Sequence, residues 1–253
     1  VTIQAVPTPF PTMNEPLDPQ TFACLRLSLV PGVGPTVALR LLEACQDDPE
    51  EVFRASDATL RRVERVGPKV IDGLRDPRVT ERAQREADLA AANQIELVTR
   101  WSPTYPPRLH DLPDPPLLLY VRGRLWGERD NLSVAIVGSR EASYYGRDQA
   151  RRFGGLLAQA GLAVVSGFAR GVDRDAHTGA LQVGGRTIAV IGSGLLDVYP
   201  PENREMVPQV AEHGAVISEF PLQMAPQAGN FPRRNRIIAA MTLATLVVEA
   251  GLK

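Results

Sequence analysis

Lysine is almost absent from this chain. It stands only at positions 69 and 253, and every other basic residue is arginine. Arginine codons in a GC-rich genome explain that bias, so the count alone assigns no role. Cysteine is equally scarce: Cys24 and Cys45 sit in helical patterns, with no CxxC pair. That argues against a disulfide framework and against a thiolate metal site. His110, His177 and His213 are too scattered to make a metal cluster by spacing. No apolar run approaches the roughly 18 residues of a membrane span, and there is no signal-peptide pattern. The expectation is a cytoplasmic protein with no membrane segment and no metal. Signature loops are missing as well. No GxxxxGK[ST] occurs, so a P-loop NTPase is excluded, and no GxSxG occurs, which removes the commonest serine-hydrolase signature.

What is present is ordinary in bulk. Apolar residues make up 44% and charged residues 23%, as in a typical globular protein. A length of 253 residues leaves room for one large domain, or a small one beside a medium one. The net charge of -1 hides a split. Residues 1–130 carry 16 basic against 19 acidic side chains, and residues 131–253 carry 12 against 10. Neither half is a basic tail, so any nucleic-acid contact must rest on locally placed arginines.

Residues 1–16 hold four prolines and read as an irregular leader. Residues 17–76 read as a compact helical domain. Asp18 caps a first helix, Asp48-Pro49 opens a short one, and Asp57 caps another. Two glycine turns, Pro31-Gly32-Val33-Gly34-Pro35 and Val66-Gly67-Pro68, join helices in the manner of a sterile-alpha-motif or helix-hairpin-helix unit. Such hairpins grip DNA phosphates in some proteins. Here the glycines are read as turn geometry only, because the second hairpin has one glycine and this half is acidic. A charged, Ala-rich connector helix covers 77–94. Residues 95–253 form the larger domain, opened by strands at Ile95–Thr99 and Leu117–Val121 around a proline-rich stretch. That stretch is read as an extension wrapped on the main sheet, with Trp101 and Tyr105 as packing anchors.

From residue 131 strands alternate with helices. Strands are expected at Val134–Val137, Leu162–Val165, Thr187–Ile191, Ala215–Ile217 and Leu246–Val248. The implied fold class is α/β, a Rossmann-like doubly wound parallel sheet. The last strand runs almost to the end of the sequence, which reads as a fragment of a longer protein. In such sheets ligands bind at the carboxyl ends of the strands. Those ends read Gly138-Ser139-Arg140, Ser166-Gly167-Phe168-Ala169-Arg170-Gly171, Gly192-Ser193-Gly194 and Ser218-Glu219-Phe220-Pro221, with Phe231-Pro232-Arg233-Arg234-Asn235-Arg236 beyond. The GxGxxG of a dinucleotide fold is not completed at any of them. The strand–Gly-Ser–helix arrangement of the first loop suits a phosphate, through backbone N–H groups, the helix dipole and Arg140. Arginines interleaved with Phe168 and Phe231 suit a single-stranded nucleic acid. Asp173 and His177, four apart on one helix, are read as a cap and a buried hydrogen-bonding group rather than an acid–base pair. Glu219 and Glu249 are read as acceptors of loop N–H groups.

Six segments together resemble one family. GSR at 138–140, SGFARGVDRDAH at 166–177, GSGLLDVYPPEN at 192–203, SEFP at 218–221, FPRRNRIIA at 231–239 and VVEAG at 247–251 are similar to the bacterial DNA-processing protein A family, DprA or Smf. The resemblance implies a non-enzymatic binder of single-stranded DNA that serves natural transformation. Such proteins protect incoming strands and load a RecA-type recombinase onto them against single-strand-binding protein. They form homodimers through the Rossmann-like domain and need no nucleotide cofactor. Carried over by residue, the resemblance implicates Ser139, Arg140, Gly167, Phe168, Arg170, Asn203, Arg233, Arg234, Asn235 and Arg236 in DNA binding, and the strand-end reading adds Gly138, Ser166 and Phe231. Position 170 is arginine where many members have lysine. The family continues past this sequence with a Gly-Ser-rich loop, a further strand and often a winged-helix-like domain. The rival reading is a nucleotide phosphoribohydrolase on the same fold, whose PGGxGT loop is absent here.

Overall fold

A computed structural model describes residues 17–251, so the expected leader over 1–16 lies outside the described residues. The N-terminal part is built from α1 (Pro19–Ser28), α2 (Pro35–Ala44), α3 (Pro49–Arg54), α4 (Asp57–Leu60) and α5 (Pro68–Arg75). Asp18 accepts the Thr21 N–H and Asp48 accepts the Glu50 N–H, as capping carboxylates should. Proline opens α1, α2, α3 and α5, where its missing N–H costs no hydrogen bond. One cap differs from expectation. Ser56, not Asp57, caps α4 by accepting the Thr59 N–H, and Asp57 is the first helical residue. The connector is α6 (Pro77–Ala92), which buries Val79, Ala83, Ala87 and Ala90 along one stripe.

Seven strands form one sheet: β1 (Glu96–Thr99), β2 (Leu118–Gly123), β3 (Ser133–Val137), β4 (Ala163–Ser166), β5 (Thr187–Val190), β6 (Ala215–Ser218) and β7 (Ala244–Val247). Their order is β1-β2-β6-β5-β4-β3-β7. The five strands from β6 to β7 are mutually parallel, and β1 and β2 add an antiparallel edge beside β6. Strands β4, β5 and β6 are buried throughout, which explains their unbroken apolar runs. Four helices cross between the parallel strands: α7 (Tyr144–Gln159), α8 (Val172–Gln182), α9 (Val207–His213) and α10 (Asn230–Met241). The single helix expected over 202–213 is a 3-10 turn, Pro201–Met206, followed by α9. Pro208 has no N–H for the carbonyl four residues back, so an α-helix cannot run through it.

The helical part lies on one face of the sheet and shares its core. Leu25, Leu27 and Leu41 belong to the same buried cluster as Leu118, Tyr120, Phe168 and Val216. Glu86 of α6 accepts the Leu222 N–H at 2.6 Å, tying the connector to the loop after β6. On another cluster Val165, Ile188 and Ile217 pack with Ile237, Ile238 and Met241 of α10. Tyr105 is buried there, and its hydroxyl donates to the Pro116 carbonyl at 2.7 Å, which makes it the anchor expected of the proline-rich stretch. Both cysteines are free and buried. Among the described residues no helix is long and apolar enough to cross a membrane, and no three metal-binding side chains cluster.

The chain crosses over once in a way that matters. Strands β3 to β6 are laid down in one direction, and β7 then returns to the far side of β3. The order therefore reverses between β3 and β7, and the crevice at their carboxyl ends is the place where this architecture accepts ligands.

Candidate nucleic-acid interface

At that crevice the first loop is held by the end of β7. The Ser139 N–H donates to the Glu249 carbonyl at 2.7 Å, and the Val172 N–H donates to the Ser139 carbonyl at 3.2 Å. The Glu249 carboxylate accepts the Ser143 N–H at 2.9 Å and the Ser143 hydroxyl at 2.6 Å. Ser143 in turn caps α7 by accepting the Gly146 N–H at 3.0 Å. Its hydroxyl and amide hold the Glu249 carboxyl below the usual carboxylate range. The anion at the positive end of α7 is thus part of the chain. This is a finding against the simplest expectation for the loop, which placed a phosphate there.

The second loop, after β4, is closed in the same way. Asp173, in the first turn of α8, accepts the Ala169 N–H at 3.3 Å. Burial raises the Asp173 carboxyl, and the Arg234 guanidinium works against that rise. Arg234 is 4% exposed and donates to the carbonyls of Gly167 and Val190. Burial pulls its guanidinium down to about 10, with Asp173 opposing the fall. A Cβ on Gly167 would stand 2.6 Å from both the Arg234 guanidinium and the Asp173 carboxylate, so a larger residue there would push these two groups aside. Asn203 donates to the Phe168 carbonyl at 2.8 Å. Phe168 takes a positive φ of 59°, which turns its ring into the core, edge-on to His177 at 5.5 Å. His177 meets the Thr187 hydroxyl at 2.7 Å. That hydroxyl donates to the Val164 carbonyl, so the imidazole Nδ1 carries the proton and donates. Burial pushes the His177 pKa down to about 3, and the ring is neutral.

These contacts correct six of the candidate positions. Ser166, Gly167, Phe168, Asn203 and Arg234 are buried and shape the loop from beneath. The ring of Phe168 is core, not a stacking surface. Arg236 is engaged by Glu219 and, at 3.1 Å, by Asp114. One residue change along α10 turns a side chain by about 100°, which is why neighbours in the Arg233–Arg236 run part company.

The outer surface of the rim is made by others. The exposed Arg140 guanidinium lies 5.0 Å from the centroid of the half-buried Phe231 ring. Phe231 meets Tyr199 at 5.9 Å, and the Arg170 guanidinium lies 5.6 Å from the Tyr199 ring. Cation, ring, ring, cation therefore follow one another in a row. Arg140 makes no ion pair among the described residues, whereas Arg170 is engaged by Glu202, with one contact at 3.2 Å. Glu202 and the Tyr199 hydroxyl raise the Arg170 pKa, and Arg170 lowers that of Glu202. Arg233 and Asn235 are exposed on α10, Arg233 over the Phe220 ring at 5.1 Å. Gly138 and Ser139 are half-buried beneath Arg140. Tyr199 and Glu202 were not among the candidates. The signal for them was their place in the loop after β5, beside Asn203.

Comparison with known proteins places the chain in a family. Residues 96–253 match the model of the DNA recombination-mediator protein A family. The chain belongs to the DNA recombination-mediator protein A family. Residues 25–76 match a SAM-like helix-hairpin-helix tandem. Protein Smf of Synechocystis sp. is 38% identical over 233 residues, which is 90% of this chain and 58% of that protein. The chain thus spans little more than half the length of this relative. The crystal structure of DNA processing protein A from Streptococcus pneumoniae superposes with a TM-score of 0.70 at 29% identity, over 94% of this chain and 80% of that one. A structure of DNA processing protein A from Helicobacter pylori, which concerns its single-stranded DNA binding mode, superposes with a TM-score of 0.56 at 30% identity. It covers 63% of this chain and 71% of its own.

Proposed function

We propose that this chain binds single-stranded DNA across the row formed by Arg140, Phe231, Tyr199 and Arg170. The observation that carries the reading is the alternation of guanidinium groups with ring faces on the rim, with Arg140 free of any acidic partner among the described residues. Guanidinium groups take phosphates, and unpaired bases rest on aromatic faces whatever their sequence. Arg233 and Asn235 flank the row. The Helicobacter pylori relative supports the choice of ligand. The role is that of a non-catalytic mediator, which protects the strand and loads a RecA-type recombinase past single-strand-binding protein. Asp173 and His177 support the non-catalytic part, since both are buried and already hydrogen-bonded. A homodimer would present two rows and gain avidity.

The test is fluorescence anisotropy with a 30-nucleotide single strand and its duplex at several salt concentrations. The expected result is a single-strand preference, with Arg140→Ala binding more weakly and the salt slope reduced by about 0.7. Equal binding of both forms, or an unchanged slope, would refute the row as the binding surface. The mediator role is tested separately, by recombinase assembly on a strand already coated with single-strand-binding protein. No acceleration there would remove the loading role and leave the binding role.

A further inference from the structure

Two aromatic residues stand side by side in the first turn of α7, directly after its cap Ser143. Tyr144 is 89% exposed and Tyr145 is 72% exposed. Neither side chain makes a hydrogen bond or ring contact among the described residues. Single exposed apolar residues are common and need no explanation, but two rings this exposed in one helical turn, pointing about 100° apart, offer two separate faces to a ligand. Their position gives them meaning. Helix α7 starts at the carboxyl end of β3, so its first turn stands on the rim. In a helix the Cα–Cβ bonds tilt toward the N-terminus, which leans both rings back over the rim. Tyr144 lies four residues from Arg140, so their Cα atoms are within about 14 Å.

The electrostatics say which part of a nucleotide fits there. Glu249 already occupies the positive end of α7, and the exposed Glu141 lies between Arg140 and the tyrosines. A phosphate gains nothing on this stretch. The neutral face of a base gains a stacking partner. We propose that Tyr144 and Tyr145 are a second stacking platform, on which bases of the same strand rest after it passes Arg140 and Phe231. The proposal rests on the reading of that row as the DNA surface. It commits to unpaired bases without sequence preference, because every base offers a ring face.

The experiment titrates oligothymidylates of increasing length against the unaltered protein, Tyr144→Ala/Tyr145→Ala and Tyr144→Phe/Tyr145→Phe, with Arg140→Ala alongside. Both tyrosines are exposed, so the variants keep the fold. The shortest oligomers that bind occupy the Arg140–Phe231 row and are held equally by all but Arg140→Ala. On a 30-nucleotide strand the double alanine variant binds at least about fivefold more weakly, and the double phenylalanine variant matches the unaltered protein. Equal affinity of the alanine variant at every length, with Arg140→Ala still weak, overturns the platform and leaves the row standing. Arg140→Ala without effect overturns the row itself. A change of molar mass in the alanine variant, with its affinity per site unaltered, assigns the rings to contact between copies and also overturns the platform.

Discussion

Glu249 holds Ser143 by both its amide and its hydroxyl, at 2.9 and 2.6 Å. A carboxylate from the end of the last strand thereby sits where the α7 dipole is most positive. Asp173 plays the matching part below the second loop, where it takes the Ala169 N–H. Both glycine loops turn N–H groups onto the chain's own acids. The outward charge and the outward rings then come from side chains, and the binding row proposed above is made of Arg140, Phe231, Tyr199 and Arg170.

If the proposed row takes the strand, Glu202 competes with a phosphate for Arg170. In Glu202→Gln the guanidinium loses its charged partner and keeps the Tyr199 ring. Single-stranded DNA should bind more tightly at low salt, and the salt slope should steepen by about 0.7 as one more cation becomes available. Anisotropy across a salt series reads both. Weaker binding in Glu202→Gln would mean that the ion pair positions Arg170 for the strand instead of masking it.

Arg234 is structural. Removing its guanidinium leaves the Gly167 and Val190 carbonyls unpaired and strips Asp173 of its nearest opposing charge. Arg234→Met should lose about 3–5 kcal/mol in urea unfolding. Arg234→Lys should recover less than half of that, because an ammonium lacks the planar fork that reaches both carbonyls. A stability loss below about 1 kcal/mol in Arg234→Met would return Arg234 to the list of surface contacts.

His177 makes stability depend on pH. Its imidazole takes a proton near 6.5 when unfolded and only near 3 when buried. Between those values the unfolded chain holds about one proton more, so stability falls as pH falls, and above about 6.5 this group contributes no slope. Asp173, raised by burial, acts in the opposite sense. Comparing the protein with His177→Gln isolates the imidazole. The variant's curve should be flatter between pH 6 and 4 by up to about 1.4 kcal/mol per pH unit. Parallel curves would show that the ring is protonated in the fold.

Gly171 joins the two loops. It has a φ of 70°, and a Cβ there would lie 2.4 Å from the Ser139 carbonyl oxygen. Gly171→Ala should cost about 1–3 kcal/mol and weaken DNA binding, because Ser139 and Arg140 must move. Gly161 is the control, with a φ of 83° and nothing within 4 Å of its Cβ position. Gly161→Ala should carry only the backbone strain and bind DNA normally. Equal DNA affinity in the two variants would show that the Ser139–Arg140 segment tolerates the shift.

Much of this molecule was legible before any coordinates. The apolar runs of β3 to β6 named parallel strands because a strand covered on both faces needs apolar residues at every position. Asp18, Asp48 and the prolines of the first helices announced their own starts, since capping is a local event between near neighbours. The strand ends marked the rim, because an α/β sheet takes ligands at the carboxyl ends of its strands, whereas the reversal between β3 and β7 is visible only in the assembled sheet. The duties of Glu249, as an acceptor of loop N–H groups, and of His177, as a buried hydrogen-bonding group, could also be inferred, whereas Asp173, read as a helix cap, takes the Ala169 N–H of the preceding loop and Gly171 stands at the cap.

What the sequence could not decide was which side of a loop each residue faces. Phe168 and Phe231 look alike as aromatics beside arginines, yet a positive φ buries the first and a helix start half-exposes the second. Arg233 and Arg234 are adjacent, and one turn of direction on α10 separates surface from core. Arg170 meets Glu202 across 32 positions, and Arg236 meets Glu219 across 17. Periodicity and composition report local conformation and average burial. Partners distant in sequence, and the hand of a single loop dihedral, are set only when the whole sheet is assembled, because that is when each side chain first finds what it packs against.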